Sequence, residues 1–390
     1  MDFDTIHPMQ GTFSGKWDSM TSSFGIDANE GIAMQVADSD YPTAPCVTDV
    51  LRRHVDRGIF NYGMDRAGYL ASVCWWMQTR HNWTIDPDWV LTTQGLGNAI
   101  ALCLDVWSEP GEDIAFFTPV YHEFRLKTQR AHRQYVELPL ALVDGRYELD
   151  WDAAEAAITP RSKVLLFCSP QNPSGRIWTV EELRQVADFA ARHDLILVCD
   201  EVHGDLVYDG NCHVPMDIAA PEHRDRTVTL FAASKTFNLA GLRVGQMIIP
   251  NDTLRAQMAD RLNALNYDAT TIAVAATQAA YSPEGAEWLA AQMVHLEKNR
   301  QIFDLGVNAI PGVYSMPLQA TYLPWVDFSG TGMSAEEINK RVFEDAQLCP
   351  APGIWFGTGG ETWNRFILAM PGPVVEEVVT RLQRAFSDLQ

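Results

Sequence analysis

The sequence predicts an α/β protein with two parts: a large domain built on a mostly parallel sheet with helices on both faces, and a smaller α+β domain. Three observations carry that prediction. From about residue 88 apolar strands alternate with helical stretches, the pattern of βαβ units. Three of those strands, Val164-Leu165-Leu166-Phe167, Leu195-Ile196-Leu197-Val198 and Thr227-Val228-Thr229-Leu230-Phe231, each run into a polar segment rich in reactive side chains. And 390 residues, 47% of them hydrophobic, suffice for a large core and about two domains.

Residues 1–40 carry Gly11, Gly15, Gly25 and Gly31 with few periodic positions, and read as an extended arm. Residues 45–56 space Val47, Val50, Leu51 and His54 on one helix face, and Gly58 stops that helix. A loop at 60–63 leads to a second helix, 66–80, carrying Trp75 and Trp76. Trp89-Val90-Leu91-Thr92 reads as a strand, Gly95-Leu96-Gly97-Asn98 as a turn and 99–106 as a helix. Such a turn is either a plain connection or a place where backbone N–H groups and the helix dipole hold a phosphate. Strand 114–117 ends at Thr118-Pro119-Val120-Tyr121, where Tyr121 either packs or stacks on a flat ring. Helix 121–131, strand 133–138 and helix 150–157 follow, then helix 179–192, opened by a Thr179/Glu182 capping box. Crossovers between parallel strands should be right-handed.

After Gly245 come strand 246–249 and helices 252–265 and 268–281. Pro283 and Gly285 break the pattern, so the boundaries are expected at 1–44 for the arm, 45–283 for the large domain and 284–390 for the small one, the arm being shared with the small domain. The small domain reads as helix 286–308, strand 320–325, helix 334–346, strand 364–369 opened by Arg365, and helix 373–388. There are no internal repeats and no low-complexity tract.

The net charge of −21 argues against nucleic acid and anionic membranes as partners. Seven cysteines, an odd number without a CxxC pair, read as free thiols, and Cys168 and Cys199 end apolar strands where thiols are buried. That usage suits a reducing cytoplasm. The start, Met1-Asp2-Phe3-Asp4, lacks a signal-peptide core, and no apolar run is long enough to span a bilayer. No metal site is expected.

The chemistry lies in Ser169-Pro170-Gln171-Asn172-Pro173-Ser174-Gly175, Cys199-Asp200-Glu201-Val202-His203 and Ala233-Ser234-Lys235-Thr236-Phe237-Asn238-Leu239-Ala240-Gly241-Leu242-Arg243-Val244-Gly245. An Asn, an Asp and a Lys thus follow strand ends in order, on the sheet edge where α/β folds bind ligands. A lysine amine can hold an aldehyde as a Schiff base. Pyridoxal 5′-phosphate needs that lysine and an acid partner for its ring nitrogen. Asp200 can keep the nitrogen protonated, the Asn172 amide can donate to the phenolic oxygen, and Ser234 and Arg243 suit the phosphate. Alone, Asp200 reads first as a capping or surface acid, and Arg365 first as a surface or salt-bridged arginine; the Asn-Asp-Lys series is what gives specificity. An arginine fork in a site binds a carboxylate through paired hydrogen bonds.

These three motifs resemble fold-type I pyridoxal-phosphate enzymes. More narrowly, Lys16-Trp17-Asp18, Val36-Ala37-Asp38-x-Asp40, Gly58-Ile59-Phe60-x-Tyr62, Thr118-Pro119-Val120-Tyr121, Asp205-Leu206-Val207-Tyr208, Ala279-Ala280-Tyr281 and Glu287-Trp288-Leu289 resemble the MalY/PatB-type cystathionine β-lyase (C–S lyase) branch, over nearly the whole chain. The resemblance implies an aspartate-aminotransferase-like fold and a C–S β-lyase releasing pyruvate, ammonia and a thiol from L-cystathionine or a related cysteine S-conjugate. It implies that Lys235 holds the cofactor and moves the proton, Asp200 pairs with the ring nitrogen, Asn172 contacts the phenolic oxygen and Tyr121 stacks on the ring. Gly95, Leu96, Ser234 and Arg243 would surround the phosphate, with Tyr62 reaching the phosphate of a second subunit in a homodimer. Arg365 would bind the substrate α-carboxylate, Asp38 on the arm would lie at the substrate, and His203 would support the Asp200 turn. The branch usually has Trp-Val-Ala-Asp-Met-Asp-Phe where this chain has Gln35 to Tyr41, and Cys-Pro where it has Met370-Pro371. Arg243 is a feature shared with aminotransferases of the same fold. Transamination of an L-amino acid with a 2-oxo acid therefore stands as the alternative reaction, and racemisation is chemically open. A regulatory or partner-binding protein on this scaffold would not need Lys235.

Overall fold

The structure is a computed structural model and describes residues 1–389. Its centre is an eight-stranded sheet in the order Val90–Thr93, Gly245–Ile248, Thr227–Phe231, Ile196–Asp200, Ser162–Cys168, Asp113–Thr118, Gln134–Val143, Arg146–Leu149. The strands from Thr227–Phe231 to Gln134–Val143 are all parallel. Gly245–Ile248 runs antiparallel to both neighbours, and Gln134–Val143 turns back into Arg146–Leu149 as a hairpin. The four parallel strands from Thr227–Phe231 to Asp113–Thr118 are buried on both faces, as βαβ crossovers require, whereas Gln134–Val143 beside them is partly exposed. Alternate residues feed two cores: Ile114, Phe116, Val164, Val198 and Leu230 on one face, and Ala115, Phe117, Leu165, Phe167 and Leu197 on the other.

A second sheet, Ile32–Met34, Leu348–Pro352, Trp363–Arg365, Trp325–Asp327 and Tyr314–Ser315, lies in the chain's remaining part. Ile32–Met34 pairs parallel with Leu348–Pro352, so the arm does join the C-terminal structure. The arm also holds a short helix, Met20–Phe24. Pro45–Arg57, capped by Gly58 in the left-handed conformation at φ +65, and Val180–Arg192 with its complete capping box match the sequence expectation.

Four expectations change. The helix after Gly95 begins at once, Leu96–Trp107, so the expected turn is its first turn. Pro283 does not break a helix but opens one, Pro283–Val307; proline lacks only an N–H that the first turn leaves free, and Ser282 accepts from the Gly285 N–H. Residues 320–324 and 366–369 are apolar because they are fully buried, not because they are pleated: Phe366 and Leu368 donate to the Pro324 and Tyr322 carbonyls outside any regular ladder. The strands there are Trp325–Asp327 and Trp363–Arg365, and Arg365 ends its strand instead of opening it. All seven cysteines are free. Among the described residues no helix is long and apolar enough to cross a membrane.

Candidate active site

A cavity of about 650 Å³ opens at the C-terminal edge of the parallel strands. Lys235 reaches it from Ala233–Thr236, the short helix after Thr227–Phe231. Asp200 is the last residue of its strand and Asn172 lies in the loop after Ser162–Cys168. The register sets Cys168 beside Asp200 and Asp200 beside Leu230, so the three segments leave the sheet side by side. Tyr121, Gly95, Leu96, Ser234, Arg243 and His203 line the same cavity, and Arg365 enters it from the second sheet.

The Lys235 ammonium nitrogen Nζ donates to the Ala37 carbonyl at 2.7 Å, and the Tyr322 hydroxyl donates to the same oxygen at 3.1 Å. Burial pulls the Lys235 pKa down to about 8, against the nearby Asp38 and Asp200 charges and with help from Arg365 and Arg243. Asp200 is buried and its pKa is pushed up to about 6 for the same reason; its Oδ1 accepts from the Val202 N–H at 3.2 Å. Arg365 donates through Nη1 to Asn172 Oδ1 (3.1 Å) and through Nη2 to the Gln35 carbonyl (2.8 Å). The first bond fixes the Asn172 amide so that its nitrogen is left to donate elsewhere. Burial brings the Arg365 pKa down to about 10, its guanidinium lies over the Phe356 ring at 5.0 Å, and its Nε has no partner.

At the other end, Gly95 takes φ +87, a left-handed value that glycine adopts freely, and caps Leu96–Trp107 without a side-chain hydrogen bond. The first N–H groups of that helix therefore face the cavity with Ser234 and Arg243 beside them, a donor set for an anion.

The residues fit pyridoxal 5′-phosphate. Arg365 Nε and His203 Nδ1 are buried without protein partners, and Asp200, equally buried, has one hydrogen bond. Most buried polar groups of native proteins are paired. An uncapped helix start suits a phosphate, an elevated carboxyl suits a ring nitrogen, and a depressed lysine amine suits an aldehyde.

Asp38 is not brought to this cavity, and Tyr62, expected at the phosphate of a second subunit, lies away from it. Asp38 turns to Lys16, 2.8 Å away, because a buried ammonium draws the nearest carboxylates. Tyr62 is fully exposed and borders a separate cavity of about 820 Å³ with Phe60 and Asp268. His203 lines the site, yet the Asp200 carboxylate accepts from Val202 and not from His203, which sits edge-on to Tyr322 with ring centres 6.0 Å apart; burial keeps it neutral. The sequence reading missed the Gln35 and Ala37 carbonyls and the walls formed by His122 and Trp355. Backbone acceptors leave no residue-type signal.

The architecture is fold type I of the pyridoxal-phosphate enzymes. The chain belongs to the aminotransferase class I and II family, which it matches over residues 30–382. It is 32% identical to cystathionine beta-lyase PatB of Bacillus subtilis (strain 168), over 99% of this chain and 100% of that protein. It is 29% identical to protein MalY of Escherichia coli (strain K12), over 98% of each. Among solved structures, cystalysin from Treponema denticola, which contains a pyridoxal 5′-phosphate cofactor, superposes with a TM-score of 0.94 at 31% identity, over 100% of this chain and 99% of that one.

Proposed function

We propose that this protein is a pyridoxal-phosphate-dependent C–S β-lyase acting on L-cystathionine or a related cysteine S-conjugate, with pyruvate, ammonia and a thiol as products. The observation that carries the reading is the meeting, in one cavity, of a Lys235 amine depressed to about 8 and a buried Arg365 that no acidic side chain pairs with among the described residues. Full-length similarity to a cystathionine β-lyase supports it.

Asp200 would hold the ring nitrogen of the cofactor, Asn172 its phenolic oxygen, and Tyr121 one face of its ring, with His203 beside Asp200. Gly95, Leu96, Ser234 and Arg243 would hold the phosphate. When bound, the cofactor supplies an electron sink for negative charge at the substrate α-carbon. Arg365 takes the substrate carboxylate through paired hydrogen bonds, which orients the α-carbon toward Lys235. Lys235, as the neutral amine, removes the α-proton. The β-carbon–sulfur bond then breaks, the thiolate leaves with the bonding pair, and water converts the remaining enamine to pyruvate and ammonia.

The division into arm 1–44, large domain 45–283 and small domain 284–390 belongs to the same reading, supported by the two separate sheets. So does a homodimer: Ile59, Phe60 and Tyr62 are exposed together, which supports a subunit contact through which Tyr62 reaches the partner's phosphate site. The acidic chain and free thiols support a cytoplasmic setting. Arg243 in the cavity favours one second reading, an aminotransferase.

The test is product analysis with purified, cofactor-loaded protein and L-cystathionine, first without and then with an added 2-oxo acid. Pyruvate and free thiol without the oxo acid are expected. A new amino acid formed only when the oxo acid is present, with no thiol, would make the protein an aminotransferase.

A further inference from the structure

Lys16 lies far from the catalytic motifs in sequence and is fully buried. Its Nζ sits 2.8 Å from Asp38 Oδ1, 2.8 Å from Asp40 Oδ1 and 3.1 Å from the Asp38 carbonyl. Burial opposes its charge, but Asp40 and Asp38 outweigh that and hold it protonated, above the ordinary lysine value. The Lys16 carbonyl accepts from Gln35 Nε2 at 2.6 Å, and the neighbouring Trp17 indole donates to Asp40 Oδ1 at 3.0 Å. On the other side Asn238, three positions after Lys235, donates to the Ser39 and Tyr41 carbonyls (3.0 and 3.1 Å) and accepts from the Ser39 N–H (3.2 Å).

Residues 35–41 are thus pinned from both sides, and the two catalytic-cavity bonds fall between the pins. The Gln35 carbonyl holds Arg365, and the Ala37 carbonyl holds Lys235. We propose that Lys16 is a positioning residue: it clamps Asp38 and Asp40 inside the protein so that the Gln35 and Ala37 carbonyls keep Arg365 and Lys235 aimed into the cavity. The inference rests on the roles of Lys235 and Arg365 given above. A carboxylate as buried as Asp40, with 5% of its side chain exposed, cannot stay inside without a cation, so losing Lys16 turns the segment outward toward water. Asp38, with 30% exposed, is the partner that can be neutralised without stranding a buried charge.

The test compares wild type, Lys16→Met and Asp38→Asn as full chains. Hydrogen exchange of the peptide covering 33–41 is measured in the apoprotein; cofactor Kd, amino-acid KM and kcat are measured in the holoenzyme. Lys16→Met should speed exchange of the segment by about tenfold or more while the large-sheet strands keep wild-type protection. KM should rise by about tenfold or more and kcat should fall, because Arg365 and Lys235 both lose their aim, while cofactor Kd should change less than KM, because the phosphate donors lie at the other end. Asp38→Asn should move exchange and KM in the same direction by less, and it keeps the proposal testable if Lys16→Met does not fold. Wild-type exchange and KM in a folded variant would overturn the clamp, as would a loss of protection spread evenly over the whole chain. Failure of the wild type to make pyruvate would overturn the lyase reading alone, since the exchange experiment needs no turnover.

Discussion

The two ends of the cavity are built in different ways. At the sheet edge, Asp200 ends a parallel strand and Asn172, Ser234 and Lys235 follow one within a few residues, so the sheet register alone sets them side by side. At the arm end, Arg365 is held by a carbonyl 330 positions away in sequence, and Lys235 by one 198 positions away. The first end is fixed by a scaffold buried on both faces. The second depends on a segment with little regular structure of its own, held by side chains. A stiff end suits a cofactor that stays bound, and an end closed by an arm suits a substrate that must enter and leave.

Substitutions can separate the ends. The largest effect is expected at the sheet edge: Lys235→Ala should lower kcat by about 10⁴-fold, the upper range for a proton-transferring group. Borohydride should fix the cofactor's mass on the wild type and not on the variant, as read by mass spectrometry. A variant retaining a tenth of the activity would mean that another group moves the α-proton.

Next comes a paired contrast between two arginines of the same cavity. Arg365→Met should raise KM by about 10²-fold, in line with removing one partner of a buried charge-assisted contact, and leave cofactor Kd unchanged. Arg243→Leu should do the reverse, raising cofactor Kd by about tenfold with little change in KM. If both variants shifted the same parameter, the separation into a cofactor end and a substrate end would fail.

This division also explains what the sequence could reveal. The parallel sheet was legible because its strands are short apolar runs between polar segments, and the sheet-edge residues because each lies next to its strand. The arm end was not. Its acceptors are the carbonyls of Gln35 and Ala37, which any residue provides. Asp38 was expected at the substrate, but which carboxylate a buried lysine captures is decided by packing. The misplaced strands at 320–325 and 364–369 share that cause: full burial makes an irregular segment as apolar as a strand, and periodicity cannot separate the two.

The smallest effect tests whether the ends, built apart, are coupled electrically at Lys235. In the cofactor-free protein the amine titrates at about 8, and only its neutral form reacts with an amine reagent. Labelling of the Lys235 peptide should therefore rise with pH and level off above about 8, whereas an ordinary lysine keeps rising to about 10.4. Burial is the main cause and belongs to the sheet edge, so the midpoint should stay well below that of surface lysines in every folded variant. The arm end adds opposing corrections. Arg365 destabilises the protonated amine, so Arg365→Met should move the midpoint to higher pH. Asp38 stabilises it, so Asp38→Asn should move the midpoint to lower pH. Midpoints unmoved in both variants would mean that the arm holds Lys235 by geometry alone, and that the charges around Arg365 and Asp38 are screened from the amine.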